Sequence, residues 1–466
     1  MQTYDLVVIG AGPAGYVAAI RASQLKMKAA LVEKNTTLGG TCLNVGCVPS
    51  KVMLESSEKY ALLSGGLDTH GISLSNPQID LTVLQQRRQR IVDEVVGGLA
   101  MLMKKNGIDV IRGHASVTAP GSVSVVTGDE TLELHTGAIV LATGSTAVEL
   151  PFMPFDHQTV IDSTDALHLA DIPERLAVIG GGAVGLELGS VWKRLGSEVT
   201  VIEMLPQAVP TEDPDVAEVL TKALRKAGVK LLTGAKVVGV QDVDGRKRVE
   251  YEQDGQTDAI EADAILMAVG RRAVLDIGLD AAGVQTEKPG IKVDERLQTT
   301  ADGVYAAGDC IRGIGLAHLA SHEAIAAVEN ALGEQGHVNY DCVPACIFTH
   351  PEIASVGLKE KQAREQGREV TVGKFPFSAN SRAGAVRARE GFVKLIADAS
   401  SGQLIGACIV GPSAAELIHA PAVAIELGAT IDEVADTIFA HPTFSEAIHE
   451  AALNALGRTI HLPPSK

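Results

Sequence analysis

Residues 5–20 read DLVVIGAGPAGYVAAI. Asp5 to Ile9 is a short apolar run, the pattern of a strand buried on both faces in a parallel sheet. Gly10, Gly12 and Gly15 follow as G-x-G-x-x-G, and an alanine-rich helix runs on to about Leu25. A second strand, Ala29 to Glu33, ends in an acid. Strand, glycine turn, helix and acidic strand end together form the dinucleotide-binding fingerprint in its expected setting. The glycines allow a tight turn and close approach of backbone to pyrophosphate, and the helix N-terminus faces the phosphates. Glu33 is placed to hold ribose hydroxyls.

The design repeats. LAVIG, from Leu176, is followed by Gly180, Gly182 and Gly185, then a helix, then EVTVIE ending in Glu203. The buried run AIVLATGS (138–145) has its counterpart in AILMAVGRR (264–272). Two copies mean two dinucleotide sites, and a protein holding two dinucleotides passes electrons between them. Glu203 also bears on the choice of nucleotide. A carboxylate pairs with the free 2′-hydroxyl of NAD and repels the 2′-phosphate of NADP. No arginine follows within several residues, so the second site is expected to take NAD.

Between the copies lies GGTCLNVGCVPSK, Gly39 to Lys51, with Cys42 and Cys47 five residues apart. In a straight helix, at about 1.5 Å per residue, that places them roughly 7.5 Å apart along the axis. A disulfide needs Cα atoms within about 4.4–6.8 Å. A bonded pair therefore requires a distorted helix, and Gly46 supplies the freedom. A strained, accessible disulfide is easier to reduce than a structural one. The stretch reads as a redox-active dithiol beside a cofactor.

Asp80 to Asn106 reads as a long amphipathic helix stopped by Gly107, with QQRRQR as its solvated face. QTTADGVYAAGD (298–309) is a strand and turn with Asp309 at the strand end, placed to bind a polyol chain or to serve as an ordinary turn aspartate. From about Ala345 the pattern changes to α+β. GFVKLIA and LIGACIVG flank the turn DASSGQ as a hairpin. The helical stretches AAELIHAPAVAIELG and one beginning near His441 follow. In His441-Pro-Thr-Phe-Ser-Glu446, Thr443 and Glu446 fit a capping box. His441 and Glu446 equally fit an acid–base histidine held by a carboxylate. Both readings stay open at this point.

The chain has 466 residues, 46% of them apolar, enough for three or four domains with large cores. A formal net charge of −17 with no basic block argues against nucleic acid and anionic membrane as partners. No uninterrupted apolar run of about 18 residues indicates a membrane span. The apolar N-terminus lacks the basic start of a signal segment, so a cytoplasmic protein is expected, or a mature organellar one. Cys310, Cys342, Cys346 and Cys408 read as free core or surface thiols, and no metal site is expected.

GGTCLNVGCVPSK, both glycine fingerprints, VYAAGD, LAHLASHEA and HPTFSE follow one another as in the pyridine nucleotide–disulfide oxidoreductases, which the chain resembles over nearly its whole length. The resemblance implies an α/β fold with two Rossmann-like dinucleotide-binding domains, the NAD domain inserted in the FAD domain, and a C-terminal α+β dimerisation domain. The implied boundaries are 1–148 for FAD, 149–274 for NAD, 275–344 for a central domain completing the FAD site, and 345–466 for the interface. It implies a homodimer in which the His441–Glu446 pair reaches the disulfide of the other subunit. Cys42 then exchanges with a dithiol substrate and Cys47 lies beside the flavin. Lys51 supports the thiolate one helical turn on, paired with Glu187. Besides Gly10, Gly12, Gly15 and Glu33, the implied FAD contacts are Ala115, Thr143, Gly144, Ser145, Asp309, Gly315, Leu316, Ala317 and His318. Those of NAD are Gly180, Gly182, Gly185, Val184, Glu203, Val237 and Gly270. The implied substrate is a dihydrolipoyl group on a carrier protein of a 2-oxoacid dehydrogenase or glycine cleavage complex.

Two positions depart from the pattern. Leu319 stands where family members often carry Lys, and Cys310 where many carry an aliphatic residue. Rival readings are a glutathione- or mercuric-reductase-like enzyme of the same fold, or a flavin-loaded docking subunit. The tail GRTIHLPPSK lacks a mercuric reductase's cysteine pair, and Glu203-Met204-Leu205 lacks the basic residues that favour NADPH.

Overall fold

The structure, a computed structural model, describes residues 2–65, 67–311 and 315–463. The chain packs as two units: Met1–Leu150 with Asp162–Asp171 and Val269–Val338, and Pro151–Ile161 with Ile172–Ala268 and Asn339–Lys466.

In the first unit, strand β1 (Gln2–Ile9) lies between β2 (Ala29–Glu33) and β6 (Glu130–Leu141), parallel to both. Leu6, Val7 and Val8 are fully buried, so successive side chains on both faces are covered. That is the signature of an inner parallel strand with packing on each side. Helix α1 (Pro13–Gln24) connects β1 to β2. α2 (Gly40–Val45) and α3 (Cys47–Ser64) follow, then α4 (Leu81–Lys105). The Asp80 carboxylate caps α4 by accepting from the Val83 N–H at 3.1 Å. β3 (Asp109–Arg112) extends the sheet beyond β2; β4 (His114–Ala119) and β5 (Ser122–Thr127) extend it antiparallel beyond β6. β7 (Ser145–Ala147) leads out of the unit, α5 (Ser163–Ala166) belongs to it, and β16 (Arg271–Ala273) returns antiparallel to β7. The short pair β17 (Thr286–Glu287) and β18 (Gly290–Ile291) precedes β19 (Val304–Ala306), which joins the sheet beside β6, and α8 (Ala317–Ala331) packs on α1.

The second unit holds a parallel sheet in the order β11-β10-β9-β15-β8. Its strands are β8 (Val160–Ile161), β9 (Arg175–Ile179), β10 (Glu198–Glu203), β11 (Lys230–Thr233) and β15 (Ala264–Met267). Its helices are α6 (Ala183–Leu195) and α7 (Pro214–Lys226), and β12 (Ala235–Val243), β13 (Arg246–Gln253) and β14 (Gln256–Ala262) form an antiparallel flap. The rest is an antiparallel sheet β20-β21-β24-β23-β22: β20 (Ala345–Ile347), β21 (Glu352–Gly357), β22 (Val370–Pro376), β23 (Phe392–Asp398) and β24 (Leu404–Gly411). Around it lie α9 (Glu360–Glu365), α10 (Ser381–Ala385), α11 (Ala414–Leu417), α12 (His419–Glu426), α13 (Ile431–Asp436) and α14 (Glu446–Ala455). α14 lies directly on β22: a Cβ on Gly373 would stand 1.9 Å from the Ala451 carbonyl oxygen. The Asn454 side chain also accepts from the Lys374 N–H at 2.9 Å. This seat fixes the helix that carries Glu446.

Three sequence expectations need correction. AAELIHAPAVAIELG is two helices broken at Ile418, not one. The last helix starts at Glu446, leaving His441 in the preceding loop. The QQRRQR face is not wholly solvated: Arg88 is buried, donating to Gln85 Oε1 and His168 Nε2, both at 2.8 Å.

Candidate active site

The two glycine turns are built alike. Gly10 and Gly180 take φ of +99° and +107°, a region that favours glycine. A Cβ on Gly15 would stand 1.7 Å from the Gly10 carbonyl oxygen, and one on Gly185 2.2 Å from that of Gly180. α1 and α6 start at glycine caps with no side-chain hydrogen bond, so their first N–H groups stay available to an anion. Glu33 Oε2 accepts from the Ala11 N–H at 2.8 Å and Oε1 from the Asn35 N–H at 2.8 Å. Glu203 Oε2 accepts from the Gly181 N–H at 2.6 Å and Oε1 from the Leu205 N–H at 2.7 Å. Each carboxylate thus ties its own glycine turn to the neighbouring strand end, a role the sequence alone did not disclose. Both turns fit a pyrophosphate. The two residues after Glu203, Met204 and Leu205, are exposed and apolar, and neither offers a cation to a 2′-phosphate.

Around the first turn, the Gly39 N–H donates to the Ala11 carbonyl at 2.8 Å. Gly144 (φ +72°) follows Thr143, whose hydroxyl donates to the Val274 carbonyl at 2.6 Å. The Ser145 hydroxyl donates to Asp309 Oδ2 at 2.5 Å. Gly315, Leu316, Ala317 and His318 run into the start of α8, with Leu316 as its N-cap, and Ala115 lies buried in β4. Around the second turn, Val184 is exposed on α6, Val237 buried on β12, and Glu187 buried on α6, where it accepts from the Phe348 N–H at 2.9 Å. Gly270 lies just before β16 in the first unit. Cys310 is buried, its thiol donating to the Leu141 and Ala307 carbonyls at 3.3 Å, and burial pushes it up to about 11. Leu319 is buried in α8.

The cysteine stretch is broken where the spacing required. α2 ends at Val45, Gly46 takes φ −139° and ψ −113°, and α3 begins with Cys47. Cys42 is half-buried on α2 and Cys47 exposed at the N-terminus of α3, with no disulfide between them. The two are unequal. A hydrogen bond with Cys47, reinforced by burial, pushes the Cys42 thiol well up, against the opposing pull of the Lys51 charge. The N-terminus of an 18-residue helix favours a thiolate at Cys47. Tyr16, on α1, escaped the sequence reading. Burial raises its hydroxyl, and Cys42 and Cys47 add to the rise, which marks it as a neighbour of the pair.

His441 Nδ1 lies 2.8 Å from Glu446 Oε1, while Glu446 Oε2 accepts from the Thr443 N–H at 2.8 Å. Glu446 thus bonds both the His441 ring and the Thr443 N–H, one carboxylate oxygen to each, but the capping box is only half formed. Thr443 is not the cap; its hydroxyl donates to the Ala440 carbonyl at 2.6 Å. Burial alone would raise the Glu446 carboxyl, but the Thr443 N–H and the His441 ring hold it below the usual glutamate range. The His441 side chain is 67% exposed, so Nε2 is open to a substrate. One turn along α14, Glu450 Oε1 holds His461 Nδ1 at 2.6 Å.

The profile described as "Pyridine nucleotide-disulphide oxidoreductase" matches residues 4–324, and that of the family's dimerisation domain matches residues 343–452. The chain belongs to the pyridine nucleotide-disulphide oxidoreductase family. Within it, the chain is 44% identical to the mitochondrial dihydrolipoyl dehydrogenase of Pisum sativum, over 98% of this chain and 92% of that one. Identity is 42% with dihydrolipoyl dehydrogenase 3 of Pseudomonas aeruginosa, over 99% of each. A leghemoglobin reductase of Glycine max is 44% identical over 96% of this chain and 87% of its own. Among solved structures, LpdA from Mycobacterium tuberculosis superposes with a TM-score of 0.88 at 29% identity, covering 97% of this chain and 99% of that one. As in other members of the family, the cofactors are FAD and NAD.

Proposed function

We infer that the protein oxidises dihydrolipoyl groups to lipoyl with reduction of NAD⁺, through the Cys42/Cys47 pair and FAD. The unequal thiol pair at the break between α2 and α3 carries this reading, supported by full-length similarity to dihydrolipoyl dehydrogenases. Bound FAD supplies two-electron transfer between thiol and nicotinamide. Gly10, Gly12, Gly15, Glu33, Thr143, Ser145 and Asp309 would hold it; Gly180, Gly182, Gly185 and Glu203 would hold NAD. Lys51, one helical turn after Cys47, supports the charge there.

In this reading two chains form a homodimer and the His441–Glu446 pair of one serves the thiols of the other. Glu446 fixes the ring through Nδ1, which leaves Nε2 as the base. Nε2 takes the proton of a substrate thiol. The resulting thiolate attacks Cys42 Sγ, the Cys42–Cys47 bond breaks, and Cys47 leaves as thiolate. The second substrate thiolate attacks the substrate sulfur of the mixed disulfide, Cys42 is released with a proton, and a lipoyl disulfide departs. The substrate is borne by a carrier protein of a 2-oxoacid dehydrogenase or glycine cleavage complex, met in the cytoplasm. Among the described residues no helix is long and apolar enough to cross a membrane.

The test is anaerobic NADH formation from dihydrolipoamide by the FAD-loaded protein. Cys42→Ser and Cys47→Ser are each expected to abolish it. FAD-loaded protein without turnover, or turnover that survives either change, would contradict the reading.

A further inference from the structure

The chain leaves the first unit just after β7 and re-enters it at β16, and these two strands pair, with Ala273 opposite Ser145 and Arg271 opposite Ala147. Arg271 Nε donates to Ser145 Oγ at 2.7 Å, and its Nη2 donates to the Ser145 carbonyl at 2.7 Å. The Ser145 hydroxyl in turn donates to Asp309 Oδ2 at 2.5 Å. Among the described residues no carboxylate meets the Arg271 guanidinium directly, so its fork is committed to Ser145.

The direction of this chain is fixed by chemistry. A guanidinium can only donate. Ser145 Oγ, accepting from Arg271, places its own proton toward Asp309. Asp309 Oδ2 is then occupied and Oδ1 is left as the acceptor. The backbone around Asp309 is already pinned. The Gly308 N–H donates to buried Glu323 at 2.8 Å, and the Cys310 thiol bonds two carbonyls. The orientation of the carboxylate is what remains to be set, and Ser145 sets it.

We propose that Arg271 is a positioning residue for FAD: acting through the Ser145 hydroxyl, it aims the Asp309 carboxylate at a hydroxyl of the flavin's polyol chain. The inference rests on the reading that FAD occupies the first dinucleotide site. It assigns to the strand returning from the inserted segment a share in flavin affinity, although Arg271 itself is exposed and need not touch the flavin.

Deflavo-protein is titrated with FAD for the wild type, Arg271→Met, Ser145→Ala and the double variant, and its melting temperature is recorded without FAD. Arg271→Met is expected to weaken FAD binding roughly tenfold, the size of one lost charge-assisted hydrogen bond. Ser145→Ala is expected to do the same, and the double variant no worse than the larger single loss. Arg271→Lys should recover only part, since an ammonium lacks the fork that serves both acceptors. The melting temperature of the deflavo-protein should not move. FAD binding by Arg271→Met equal to wild type, losses that multiply in the double variant, or a deflavo-protein melting lower in step with the lost affinity would each overturn the proposal. Wild-type protein that takes up no FAD would remove the functional reading and this inference with it. Normal uptake by wild type and Arg271→Met alike removes the inference only.

Discussion

The two glycine turns share their backbone, their acid and their helix start, and differ in what covers them. At the first, the Gly39 N–H is bonded to the Ala11 carbonyl, and Gly40, at φ +55°, packs so close that a Cβ on it would stand 2.7 Å from the Gly12 Cα. At the second, a Cβ on Gly182 would meet nothing within 4 Å, and Val184 beside it is 42% exposed. A following loop bonds each turn, the Gly39 N–H to the Ala11 carbonyl and the Val209 N–H to the Gly181 carbonyl, both at 2.8 Å. Only the first is roofed by backbone pressed against its middle glycine, from the segment that carries the cysteines. The difference suits a flavin that stays through many turnovers and a nicotinamide that must come and go. The same local motif serves as a clamp or a dock according to the next stretch of chain.

The sharpest way to break the comparison is Gly40→Ala. It adds a Cβ at a positive φ against the backbone of the first glycine turn, so FAD retention should fall by roughly 100-fold or more. Measured by flavin content after gel filtration, unchanged retention would mean that the roof is not what holds the flavin. Gly185→Ala is the counterpart. Its Cβ meets the Gly180 carbonyl oxygen at 2.2 Å, so the KM for NAD⁺ should rise roughly 10- to 100-fold while flavin content stays near wild type. Loss of flavin in this variant would show that the two turns are not independent.

Glu203→Gln should act more mildly. It removes the charge bonded to the Gly181 and Leu205 N–H groups, and NAD⁺ should bind roughly tenfold more weakly. Discrimination against NADP⁺ should shrink with it, read as the ratio of kcat/KM for the two nucleotides. A ratio that does not move would place the selectivity elsewhere.

The smallest expected effect concerns Glu446. Its folded carboxyl lies below the ordinary glutamate value, so its contribution to stability is full above that value and is lost as pH falls through the lowered folded one. The melting-temperature gap between wild type and Glu446→Gln should therefore be constant near neutrality and close as the solution is acidified below about pH 4.5. A gap that widens on acidification would reverse the sign assigned to this group.

Most of the frame was legible because its signals are local. Ala29–Glu33 is the second strand as read, the first helix ends one residue before Leu25, and Asp80 and Asn106 do flank α4. The hairpin of β23 and β24 forms where the turn DASSGQ placed it. The helix is interrupted at Gly46, the residue read as giving the backbone its freedom between the two cysteines. What stayed hidden depends on distance along the chain. Ser145 meets Asp309 across 164 positions and Arg271 across 126. Arg88 looked solvated in a run of polar neighbours, yet it points to His168, which 80 residues separate from it. Tyr16 reaches the cysteines only because α2 folds back over the first glycine turn. Glu446 was read as serving either the helix start or the histidine; its two oxygens bond the Thr443 N–H and the His441 ring together, which no spacing rule discloses.

The division of labour within the thiol pair is the central claim, and one measurement addresses it directly. FAD-loaded protein is titrated anaerobically with dihydrolipoamide while its absorption is followed beyond the main flavin bands. The account predicts a long-wavelength flavin–thiolate band that is absent in Cys47→Ser and present in Cys42→Ser without any reductant. A band that persists in Cys47→Ser would contradict the assignment of the charged thiol to Cys47.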